Sequence, residues 1–102
     1  MLINLTNQEF QSQMEKDDVV LIDVRTPEEY GEGKIPGSKN INVMDATFMD
    51  EISSLDKEGD YLLYCRSGGR SGQAVQMMNS LGFNKVANLA GGILGWDGQV
   101  ES

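Results

Sequence analysis

The sequence holds 102 residues with a formal charge of −8, 39% apolar and 24% charged side chains. That length predicts one domain, 1–102, burying roughly 65% of its unfolded surface without help from a metal or disulfide, and the composition is that of a globular chain. The acidic balance argues against nucleic acid, whose phosphates are met by clustered Lys and Arg, and the longest apolar run, 19–22, is far too short for a membrane span.

The first ten residues lack the basic flank and apolar core of a leader, so a cytoplasmic protein is expected. Thr6 stands three residues before Glu9, a capping-box spacing that predicts a helix to about Glu15 with Phe10 and Met14 on one face. The β-branched run 19–24 reads as a buried strand. Thr26, Pro27 and Glu29 repeat the helix-start pattern, with Thr26 as N-cap and Pro27 at the first helical position. The Gly and Pro of 33–40 predict an extended connection, and 41–43 a brief strand. A helix is expected over 45–55, capped by Asp45, with Phe48 and Ile52 inward. A turn over 57–60 leads to the second strong strand, 61–65. From Arg70 or Ser71 onward, Ala74, Val75, Met78 and Leu81 recur at helical spacing, and Gly82 is a natural C-cap. Residues 85–89 form a third strand, and the glycines after it lead to a short helix around Trp96. Strands alternating with helices predict an α/β fold on a mostly parallel sheet, with no repeat and no linker.

Cys65 is the only cysteine, and the chain has no histidine. An intrachain disulfide, a Cys–His pair and most zinc sites are thereby excluded, and no cofactor or metal is expected. A lone cysteine ending a strand is often a plain core residue. Here it runs directly into Arg66, Ser67, Gly68, Gly69, Arg70 and Ser71, where a strand gives way to a helix, and α/β folds bind ligands at such loops. Glycines let several N–H groups converge on one point, the helix adds its positive end, and two arginines add full charges. A thiol there ionises more readily than the reference value of about 8.5, because the thiolate is what the loop stabilises. Cys65 is therefore the candidate nucleophile.

Asp23 and Arg25 end a neighbouring strand and could reach this loop, although hydrogen bonds that orient the local backbone explain them better. Glu28 and Glu29 fit helix initiation, Trp96 fits packing, and the methionines fit core filling, with Met44 and Met49 as alternatives for a partner groove.

The segments "LIDVRTPEEYGEGKIPGSKNIN", "CRSGGRS" and "LAGGILGW" together resemble the signatures of single-domain rhodanese-like sulfurtransferases, in the same order and across essentially the whole chain. The resemblance implies an α/β, rhodanese-like fold with about five mostly parallel strands and helices on both faces. It also implies a double displacement: the Cys65 thiolate takes the outer sulfur of thiosulfate or a persulfide, then passes it to a thiol or to cyanide. Arg66 and Arg70, with amides from Ser67 to Ser71, would hold a small anionic donor. With no second cysteine the acceptor must be external, a small thiol or a thioredoxin-like protein. A persulfide carrier in a relay is the alternative. Lys34 departs from the family pattern, standing where many members carry histidine. Cysteine phosphatases and arsenate reductases share the loop type, but their arginine six positions after the cysteine is Ser71 here.

Overall fold

The computed structural model describes residues 3–102; Met1 and Leu2, which begin the segment read for a leader, lie outside them. Five parallel strands, β1 (Asn4–Leu5), β2 (Val19–Asp23), β3 (Lys39–Asn40), β4 (Asp60–Tyr64) and β5 (Lys85–Leu89), form one sheet in the order β1-β5-β4-β2-β3. Between them run helices α1 (Asn7–Met14), α2 (Pro27–Glu32), α3 (Phe48–Ser53) and α4 (Gly69–Ser80), and a 3₁₀ turn at Ile93–Gly95 follows β5. No helix among the described residues is long and apolar enough to cross a membrane.

Strand β4 is central, with Leu62 opposite Leu21 on one side and Ala87 on the other. Because successive side chains point to opposite faces of a sheet, the apolar runs sort into two cores. Ile22, Tyr61, Leu63 and Val86 turn toward Phe48 and Ile52 of α3 and Ala74, Val75 and Met78 of α4. Leu21, Leu62, Tyr64 and Leu89 turn the other way, toward Phe10 of α1. Trp96 stands edge-on to Phe10 with ring centroids 5.8 Å apart, the packing role expected of it. Cys65 follows the parity of Tyr61 and Leu63, which aims it at the head of α4.

Both expected capping boxes are present, Thr6 with Glu9 and Thr26 with Glu29. Three local expectations are corrected. The third helix begins at Phe48 after Thr47, and Asp45 sits one turn earlier, where its carboxylate accepts the Thr47 N–H at 2.9 Å. The strand expected at 41–43 pairs at Lys39–Asn40, although Ile41 and Val43 still donate to Asp23 and Val24 at 3.0 Å each. The two-residue β1 lies in a stretch given no strand from the sequence. Gly82, at φ +100°, follows the last helical turn as expected.

Candidate active site

Parallel strands finish at one end of the sheet, so β4 delivers Cys65 beside the residues that follow β2 and β5. The Gly68 N–H donates to the Cys65 sulfur at 3.0 Å, and the Ser71 hydroxyl lies 3.3 Å from it. Burial alone would push this thiol up. The Ser71 hydroxyl and the N–H groups of Ser71, Gly68 and Ser67 outweigh that effect and hold it below its ordinary value. Cys65 itself is a covered residue, only 1% exposed, and part of the α4-side core. Arg66, Ser67 and Gly69 of the loop that follows it are exposed.

The third motif braces the loop from outside. Ile93 and Leu94 donate their N–H groups to the carbonyls of Cys65 and Arg66 at 2.9 and 3.0 Å. Two glycines allow this contact. Gly68 has φ +102°, and a Cβ there would stand 2.2 Å from the Ala90 carbonyl oxygen. Gly92 has φ +65°, and its Cβ would stand 2.3 Å from the Arg66 carbonyl oxygen. Only glycine permits both the conformation and the approach.

The arginines divide in their surroundings. Arg70 forms a fork with Glu29, Nη1 to Oε1 at 2.8 Å and Nη2 to Oε2 at 3.0 Å. That pairing holds the Glu29 carboxyl down to about 2. Arg25 is buried against Asp23 at 2.6 Å and donates to the Gly33 carbonyl at 2.5 Å, so the pair orients loops, as its backbone-organising reading expects. Arg66 is exposed and forms no ion pair among the described residues. With Arg25, Glu29, Glu32, Ile93 and the 67%-exposed Leu94, it borders a cleft of about 520 Å³. A second cleft, about 340 Å³ and lined in part by Val19, Asp60 and Lys85, lies at the strands' opposite end, away from the sulfur. Lys34 rests over the Tyr30 ring, 4.5 Å from its centroid, and is not among the residues bordering the first cleft. Burial pushes the Tyr64 hydroxyl up; it accepts the Ile35 N–H at 3.1 Å.

Several contributors were not singled out from the sequence. Glu29, a helix-start residue by its place in the sequence, also anchors Arg70. Asn88 of β5 is buried and hydrogen-bonded to Ser71. A polar residue inside the apolar run 85–89 was the available signal, since a buried amide requires partners. Nothing local marks Ile93 and Leu94 as bordering the cleft.

The model of the Rhodanese-like domain matches residues 6–99. The chain belongs to the rhodanese-like family. It is 39% identical over 80 residues to a sulfurtransferase of Allochromatium vinosum, covering 78% of this chain and 73% of that one. It is 36% identical over 85 residues to YtwF of Bacillus subtilis, provisionally named a sulfurtransferase, covering 83% and 80%. A crystal structure of a rhodanese-like domain protein from Staphylococcus aureus superposes with a TM-score of 0.81 at 30% identity, covering 99% and 100%. The rhodanese-like fold expected from the three motifs is therefore shown, and membership supports a transferase that handles sulfur.

Proposed function

We propose that this rhodanese-like protein works as one domain and moves sulfane sulfur through a persulfide on Cys65. The reading is carried by the sulfur's hydrogen bonds: a Gly68 N–H at 3.0 Å and the Ser71 hydroxyl at 3.3 Å, at the head of α4. These donors favour the thiolate, the nucleophilic form. The thiolate attacks the outer sulfur of thiosulfate; a new S–S bond forms, the old one breaks, and sulfite leaves with the electron pair. An external thiolate then takes the outer sulfur and Cys65 returns as thiolate. A persulfide donor enters by the same step and releases a thiolate instead of sulfite.

Arg66, exposed and without an ion pair among the described residues, offers the donor a cation, and loop amides offer hydrogen bonds to charge building on the leaving group. Arg70 acts on the sulfur at longer range, with Glu29 fixing its place. The acceptor is external because the chain has one cysteine; a small thiol or a thioredoxin-like protein suits it, and the reaction belongs in the reducing cytoplasm. The position where phosphatases carry arginine holds Ser71, fully buried against the sulfur, which favours sulfur over phosphate chemistry.

Intact mass measured after incubation with thiosulfate should rise by one sulfur atom, revert with a reductant, and stay unchanged in Cys65→Ser. An unmodified wild-type mass with both thiosulfate and a small persulfide would overturn the reading. Steady-state turnover with a thiol acceptor then separates an enzyme from a relay carrier.

A further inference from the structure

Beneath the loop, the Ser71 hydroxyl faces three acceptors: the Cys65 sulfur at 3.3 Å, the Gly68 carbonyl at 3.4 Å, and the side-chain oxygen of Asn88, to which it is hydrogen-bonded. A hydroxyl has one proton to donate. The Asn88 amide is not free to turn. Its Nδ2 donates to Asn4 Oδ1 at 2.9 Å and to the Gly68 carbonyl at 3.2 Å. A backbone carbonyl is only an acceptor, so the amide nitrogen must face it and Oδ1 must face Ser71. Asn88 is 2% exposed and Ser71 wholly buried, so bulk water does not readily replace either partner.

We propose that Asn88 is a positioning residue that holds the single Ser71 proton, so that Ser71 donates to the Cys65 sulfur only when that proton leaves Asn88. This rests on Cys65 being the nucleophile. With a neutral thiol the chain is unbroken: the S–H donates to Ser71 Oγ, and Ser71 donates to Asn88. When the thiol ionises, the Ser71 proton turns to the sulfur and a buried amide oxygen loses its donor, which is unfavourable. Asn88 thus restrains ionisation while the loop amides promote it. The restraint keeps the thiolate more basic, and a more basic thiolate is the stronger attacking group. A residue on β5, anchored by β1, thereby tunes a sulfur held on β4.

The test is a pH titration of thiolate ultraviolet absorbance on the whole protein. Asn88→Leu removes the acceptor at similar volume, and Asn88→Val, suited to a strand, serves if the first fails to fold. Neither changes a formal charge; Arg66, the Arg70–Glu29 pair and the Asp23–Arg25 pair, the charged groups around the sulfur, stay as they are. The midpoint should move to lower pH, with the thiolate-to-thiol ratio below it rising roughly fivefold, the ratio one ordinary hydrogen bond commands. In a Ser71→Ala background the same substitution should move nothing, because the shared proton is gone. A purely structural Asn88 would lower thermal stability and leave the midpoint in place. An unchanged or raised midpoint, or an equal shift without Ser71, would overturn the proposal. The titration needs no sulfur donor, so the proposal can stand even where the mass measurement shows no persulfide.

Discussion

Glu29 serves two neighbours with one carboxylate. Its Oε1 accepts the Thr26 N–H at 3.1 Å, closing the cap of α2, while both oxygens grip Arg70. Since Arg70 chiefly depresses the carboxyl, from 4.5 to about 2, the pair stabilises the fold fully above pH 4.5 and loses that contribution as pH falls toward 2. Both side chains are 28% exposed, so solvent and salt limit the contribution to about 1 kcal/mol or less. Glu29→Gln should therefore show a small stability deficit at pH 7 that closes below pH 4.5 in denaturant titrations. A deficit constant across that range would mean the ion pair contributes nothing. On the other side of the pair, Arg70→Ala should raise the Cys65 thiol and weaken use of thiosulfate, since the guanidinium's charge is felt at the sulfur. Unchanged thiol titration and unchanged KM would show that its charge does not matter there.

At the scale of elements, the site is a strand–loop–helix unit, β4 to α4, clamped by the segment after β5. Gly68→Ala and Gly92→Ala each combine a left-handed backbone with a backbone oxygen about where the methyl would go, so each should cost about 2 kcal/mol or more and displace the loop amides from the sulfur. Gly69→Ala is the control: it meets open space at the first position of α4 and should be neutral or slightly stabilising. Thermal denaturation together with thiol titration checks all three; a Gly92→Ala protein with wild-type stability and titration would refute the clamp. The elements that the residues announced were those with a local cause. Apolar runs announced β2, β4 and β5, and the capping boxes announced α1 and α2. Where the cause lies far along the chain, the sequence is silent. Asn4 and Leu5 are a strand only because Asn88 and Leu89 lie beside them, and Glu29 meets Arg70 across 41 residues. Asp45 misled for a different reason: an acidic residue ahead of a helix can close a turn as readily as cap the first N–H groups.

Across the whole molecule, the buried Asp23–Arg25 pair ties the end of β2 to the segment after α2 and adds side-chain contacts to the ladders that join β2 to β3 and β4. Asp23 accepts from Arg25 N and Nε at 2.9 and 3.0 Å, and Arg25 Nη2 reaches past α2 to the Gly33 carbonyl. Asn40 at the β3 edge donates to the carbonyls of both residues at 3.0 and 2.9 Å, while the guanidinium lies over the Tyr64 ring of β4 at 5.7 Å. Immediately beyond Gly33, Lys34 exchanges backbone hydrogen bonds with Glu101 at 2.7 and 2.8 Å, so the C-terminal residues hang from the same support. Removing one partner leaves the other charge buried and unpaired, which costs about 3–5 kcal/mol, whereas removing both spares that penalty. Arg25→Met should therefore lower thermal stability severely, and Asp23→Asn combined with Arg25→Met should recover much of the loss. Because Asp23 already cancels the Arg25 charge, thiosulfate KM of the folded double variant should stay near wild type below its unfolding range. A double variant as stable as the parent but with a several-fold higher KM would make Arg25 a donor-binding residue, and its support of the four segments incidental.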